Sequence, residues 1–166
     1  MADLVAATGS TRQSIYGDFG GKRQLYCACF DLYRIKVVEP ALAPFYADRP
    51  DLSAIAAYFE TQISLAQAVG LPGPGCLVGN AMTELTGREA DVMTLVMEHN
   101  ARLESAFHKA LPPTLPDQRK QALAQFLVVA AQGLWAVSRV TDCADALRSR
   151  AATIVSLLEK ELSHAT

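Results

Sequence analysis

Apolar residues recur along this chain with the spacing of helices, and the alternation that marks a strand is absent. Residues 2–8 read as a short helix with Leu4, Val5 and Ala7 apolar, followed by Gly9, the residue suited to a left-handed helix end. Thr11 can cap a second short helix running through Tyr16, and Phe19-Gly20-Gly21 breaks it. A longer helix begins near Lys22, carries Leu25, Cys29, Leu32 and Tyr33, and ends or kinks at Pro40. Pro44 and Pro50 keep 40–50 irregular or briefly helical.

From Asp51, the positions Leu52, Ile55, Phe59, Ile63 and Ala66 form one stripe to about Val69, and Gly70 to Gly75 read as a loop. Residues 76–86 resume a helix with Leu77, Val78, Ala81, Met82 and Leu85 on one side. Gly87 separates it from a helix at about 88–111 carrying Val92, Val96, Leu103 and Phe107. Pro112, Pro113 and Pro116 stop that helix. Residues 117–140 are apolar on nearly every side from Leu123 onward, which predicts burial on both sides. Residues 144–163 place Leu147, Ala151, Ile154, Leu158 and Leu162 in one seam. The fold class is therefore all-α, and the last two helices are expected to pair with a second copy as a four-helix bundle. Phe126, Leu134, Leu147, Ala151, Ile154, Leu158 and Leu162 are the candidate interface residues.

Composition narrows the class of function. The 166 residues are 51% hydrophobic and 19% charged, which excludes general disorder. Net charge is −2, and residues 1–39 hold five basic and four acidic side chains, too slight a tilt to argue nucleic-acid binding alone. No stretch reads as a membrane span of roughly 18–20 apolar residues, and the N-terminus lacks a signal-peptide pattern. Cys27, Cys29, Cys76 and Cys143 form no C-x-x-C pair and no disulfide framework. The reading is a cytoplasmic protein with reduced thiols, no metal site, no cofactor and no membrane partner.

The first 39 residues carry the functional signal. Two short helices joined by a glycine turn and followed by a longer helix fit a helix-turn-helix. The string Leu4-Val5-Ala6-Ala7-Thr8-Gly9, Thr11-Arg12-Gln13-Ser14-Ile15-Tyr16, Phe19-Gly20-Gly21-Lys22 and Leu25-Tyr26 closely resembles the DNA-binding motif of TetR-type transcriptional regulators. The match covers about residues 3–33, and Gly75-Cys76-Leu77-Val78-Gly79-Asn80-Ala81 also looks like a segment of some members. Ser10 departs from the apolar residue that often packs this turn, and the family begins with a further helix ahead of the motif, so the chain reads as starting inside the second helix. On that reading residues 1–16 are expected to fray.

The residue types suit the chemistry independently. In a major groove Arg12 can donate two bonds to guanine and Gln13 can pair with adenine. Thr11, Ser14 and Tyr16 carry hydroxyls suited to phosphate, and Lys22 opens a helix whose N-terminus also favours an anion. Ile15 and Phe19 are the expected packing partners. The resemblance implies that residues 1–39 form the DNA-binding part and 40–166 a helical ligand-sensing, dimerising part. It implies operator DNA and a small-molecule effector as partners, with the effector releasing a repressor from its operator. Tyr58, Phe59, Met82, Met93, Met97, His99, Phe107, Trp135 and Arg139 are candidate effector contacts. Plain core packing is the competing reading for each apolar one, a satisfied structural histidine for His99, and the dimer face for Arg139. Two other classes stay open: a helical dimerising protein without DNA binding, and a helical enzyme. For the latter the chain offers neither a paired Glu-x-x-His set nor a phosphate loop, and Glu104 with His108 suits an ordinary ion pair.

Overall fold

The computed structural model describes residues 1–84 and 90–163, so the expected Leu85 contact and Gly87 break, like His164, lie outside the described residues. Every regular element among them is helical: α1 (Ala2–Thr8), α2 (Arg12–Phe19), α3 (Lys22–Tyr33), a π turn (Arg34–Val38), α4 (Glu39–Leu42), a 3-10 turn (Ala43–Tyr46), α5 (Leu52–Val69), α6 (Leu77–Glu84), α7 (Ala90–Ala110), α8 (Asp117–Ser138) and α9 (Ala144–Ser163).

Of the two expectations for the helix from Lys22, an end or a kink at Pro40, the chain shows no end but a distortion just before it. The helix loosens into the π turn and resumes as α4, with Pro40 near its start, where a residue without an N–H is tolerated. The expected boundary at 39–40 therefore falls inside continuous helix, beside the buried Val38, Ala41 and Leu42. The face read from Leu25, Cys29 and Leu32 also needs correction. Cys29 and Leu32 are exposed, and α3 turns Tyr26 and Phe30 inward, their rings 5.4 Å apart, with Tyr33 following on the same side. Aromatic side chains remove more apolar area from water than the smaller alternatives, so they decide which face packs.

The core is one continuous cluster running from Phe30 on α3 to Leu158 on α9. α5 packs along α9 and α7 along α8. At the centre Phe107 stands edge-on to Phe45 and Tyr58, with centroids 5.7 and 5.3 Å away. Asp51 caps α5 by accepting from the Ser53 N–H at 2.8 Å. Arg148 on α9 grips Glu60 on α5 with three bonds of 2.9–3.1 Å.

α8 is buried along one side only. Leu123, Leu127, Leu134 and Trp135 face inward, while Phe126, Val129 and Val137 form an outward apolar stripe, Val129 being 70% exposed, and the exposed Val140 follows in the turn beyond the helix. This helix reaches the length and mean hydropathy (1.3) of a membrane span by composition, although 44% of that window is buried within the subunit. The sequence reading missed that coincidence because a helix buried in protein and one buried in lipid require the same side chains.

Candidate nucleic-acid interface and effector cavity

α2 owes its start to Thr11, whose extended backbone lets the side-chain oxygen accept the Ser14 N–H at 3.0 Å. The preceding turn needs Gly9, which adopts φ 67° and closes α1 through its N–H to the Val5 carbonyl. Helical rotation then separates the faces of α2. Ile15 points inward and is buried, whereas Thr11, Arg12, Gln13, Ser14 and Tyr16 are all exposed, as is Lys22 at the start of α3. Gln13 lies two positions from Ile15, close to the opposite side of the helix.

Its neighbours are held locally. The Arg12 guanidinium sits 5.7 Å from the centre of the Tyr16 ring, and Ser14 Oγ donates to Asp18 Oδ2 at 2.9 Å. The Tyr16 ring also lies against Gly21, where a Cβ would meet it at 3.5 Å. The six predicted DNA contacts are thus all exposed, five at α2 and its cap and one at the start of α3. Phe19 was expected to pack beside Ile15, but it is exposed: the left-handed turn at Gly20 follows it immediately and carries the chain away. Leu4 and Val5 are half-buried and α1 buries no residue.

The predicted effector contacts are scattered. Tyr58, Phe59 and Phe107 are core, packed ring against ring, and Phe59 also borders the groove along α5 and α9 with Glu60, Ile63 and Arg148. Burial raises the pKa of Tyr58, so its hydroxyl stays protonated. Met97 is 64% exposed and Met93 half-buried, and neither borders a cavity described below.

Three cavities bear on the remaining candidates, and two broader grooves of about 410 and 580 Å³ lie elsewhere, one along α5 and α9 and one beside Tyr46 and α7. The first, about 140 Å³, lies between the end of α3, α5, the 70–76 loop and α8, and Trp135 forms part of its wall. The second, about 160 Å³, brings Met82, Trp135 and Arg139 together beside Asn80 and Gln132. Arg139 donates to Asn80 Oδ1 at 3.1 Å, and Asn80 Nδ2 holds the Pro74 carbonyl at 2.8 Å. Gly75 is required there: its φ is 74°, and a Cβ would strike Arg139 Cγ at 2.9 Å and the Trp135 carbonyl at 3.0 Å. Gln132 bonds Asn100 Oδ1 at 3.2 Å through Nε2, while its buried Oε1 has no partner and abuts Gly79.

The third cavity, only about 60 Å³, holds His99 between α7 and the π turn, with Asp31, Arg34, Glu98 and Arg102 around it. Burial, helped by the Arg102 charge, pushes the His99 pKa down to about 4, so the ring is neutral at pH 7. Beside it Glu39 is held below the usual carboxylate range, chiefly by the Tyr46 hydroxyl at 2.5 Å and then by Arg102 at 2.8 Å and Arg34 at 3.6 Å. This clasp ties α4 to α7, and sequence reasoning missed it because Arg102 stands 63 positions from Glu39.

The interface candidates also divide. Leu134, Leu147, Ala151 and Leu158 are buried inside the subunit, because the seam of α9 is spent on α5 and α8. Ile154 and Leu162 are half-buried, and Phe126 is 48% exposed on the outward stripe of α8. Val129, Val137, Val140 and, on α9, Leu157 are exposed apolar residues that the sequence reading left out.

No protein-family model matches the chain, and no solved structure matches it. Among curated proteins it is similar to the HTH-type transcriptional repressor ComR of Escherichia coli (strain K12), with 27% identity over 112 residues. The likeness takes in 67% of this chain and 53% of the repressor, so the chain spans about half the length of the curated relative it matches. The relative is named as a helix-turn-helix transcription repressor, and the likeness supports a transcription regulator.

Proposed function

We propose that this chain is a ligand-responsive DNA-binding transcription regulator of the TetR type, acting as a dimer on an operator. The observation that carries the reading is the geometry of α2: a capped short helix with Ile15 inward and Arg12, Gln13, Ser14 and Tyr16 outward. The likeness to a helix-turn-helix repressor supports it independently. In this reading Gln13, with Arg12, reads base edges, while Thr11, Ser14, Tyr16 and Lys22 position the helix on phosphates. Two copies meet along the outward stripe of α8, with Phe126, Val129 and Val137 at its centre, and set two recognition helices about one turn of duplex apart. A small molecule bound in the body alters that spacing and releases the DNA.

The test is selection of duplexes from a random pool, followed by gel shifts with two variants. Gln13→Ala should change the preferred bases, by about 1–3 kcal/mol at the affected position. Lys22→Ala should weaken all duplexes alike and flatten the salt dependence. Uniform loss in both variants would remove the assignment of reader and anchor. Phe126→Glu with Val129→Glu should sediment as a folded monomer, whereas a wild-type chain that is itself monomeric at micromolar concentration ends the dimer reading. A helical dimer that binds no duplex is the competing outcome, and the thin packing of α1 is the observation in its favour.

A further inference from the structure

We infer that the cavity between the end of α3, α5, the 70–76 loop and α8 takes one small uncharged ring compound, about the size of benzene, bearing a hydroxyl or carbonyl that meets Gln62. The inference rests on the effector-responsive reading above and names the chemistry of the effector.

Size is the first argument. The cavity measures about 140 Å³, and an apolar protein cavity of about 150 Å³ admits benzene. Charge is the second. No Lys, Arg, His, Asp or Glu borders it, so an ionised ligand would surrender its hydration without a counter-charge. By contrast, the cavity at His99 is smaller and ringed by Asp31, Arg34, Glu98 and Arg102, the one beside Arg139 has a guanidinium in its wall, and the two broader grooves carry Glu60 with Arg148 and Glu98 with Arg102 and Lys109.

Polar capacity is the third argument. The Tyr33 hydroxyl is directed to Cys76 Sγ at 3.6 Å and that of Ser138 to the Trp135 carbonyl at 2.7 Å. Gln62 is the polar side chain of the wall that has no hydrogen-bond partner among the described residues. Its carboxamide can donate or accept, so a hydroxyl or carbonyl on the ring is matched there. Leu65 and Val69 stand exposed at the rim and leave a way in. Position is the fourth. Tyr33 closes α3 and Val37 lies in the π turn, so an occupant touches the helix that carries α2 at its least regular point.

The chain provides its own reporter, because Trp135 is the sole tryptophan and borders the cavity. The full chain is titrated with phenol, toluene and benzoate while Trp135 fluorescence is followed. Phenol should give a saturable change with half-saturation below about 1 mM, at least about tenfold tighter than benzoate. Gln62→Leu should erase the preference for phenol over toluene. Ala66→Phe, which fills the cavity from α5, should abolish the response with an unchanged helical spectrum. If that variant unfolds, Gln62→Leu and the benzoate comparison decide.

No saturable response to phenol, equal binding of benzoate, or a folded Ala66→Phe variant that still binds would overturn the proposal. A gel shift run in parallel separates it from the reading beneath it. Phenol that binds and weakens a selected duplex complex supports both. Phenol that binds without affecting that complex overturns the effector role. A chain that binds phenol but no duplex keeps the cavity assignment and loses the regulator reading.

Discussion

In α1 and α2 together one side chain is buried, Ile15, and it lies outside the continuous core. α5 alone buries Ala54, Ile55, Tyr58, Phe59 and Ile63, all within that core. The N-terminal helices rely on a threonine cap, glycine turns and contact with α3, each a small contribution, whereas the body rests on apolar area removed from water. A short helix that buries little has little free energy holding it ordered. The contrast fits the proposed division of labour, since a reading helix must keep its polar face free while a sensing body must keep its shape. It also places the apolar cavity next to the junction of the two regions, at Tyr33 and Val37.

The largest effect should come from the middle of the body. Phe107→Ala removes the ring that Phe45 and Tyr58 pack against, and should cost about 3–5 kcal/mol in urea unfolding. Because Ile15 is outside that cluster, native-state amide exchange of α2 should change far less than that of α5 and α7. Equal acceleration in α2 would break the contrast.

Acid should strike the body next. His99 has its pKa pushed down to about 4 when folded, against about 6.5 when exposed, so the unfolded chain takes up the proton first. Its contribution is complete above pH 6.5 and is lost as pH falls toward 4, amounting to on the order of 3 kcal/mol. Urea midpoints at pH 7 and 4.5 for wild type and His99→Leu check this: the variant should lose less stability on acidification.

A smaller effect belongs to the N-terminal region. Thr11→Ala leaves the Ser14 N–H without its side-chain acceptor and should cost about 1 kcal/mol, confined to α2. It should appear as faster exchange at Ser14 and its neighbours, with an unchanged global melt. A lowered global melt would mean that the two regions unfold as one unit.

The smallest effect lies on the surface of the body. Arg148→Gln breaks the bridge to Glu60, which is 53% exposed, and should cost less than about 1 kcal/mol. Arg148, then Ser64, hold the Glu60 carboxyl below its usual range, so this contribution is present at neutral pH and fades as acid protonates Glu60. Denaturation at high salt should shrink the difference between wild type and variant.

What the sequence determined by itself is what local chemistry decides. Helical spacing, Thr11, Gly9, the 70–75 loop and the prolines after Leu111 placed the helices and their breaks, because a cap or a φ preference acts within a few residues. The polar face of α2 was legible for the same reason, since helical rotation alone sets Gln13 against Ile15. Only the tertiary structure decided which partner each apolar face would meet. Leu147 and Leu158 read as well as an interface as they do as core, and the difference depends on α5, about ninety positions away in the chain. The same holds for Tyr58 and Phe107, which could have lined a pocket, and for Gln62, Leu65 and Ala66, which do. A cavity is a mismatch between packed surfaces, and no single helix contains the information for it.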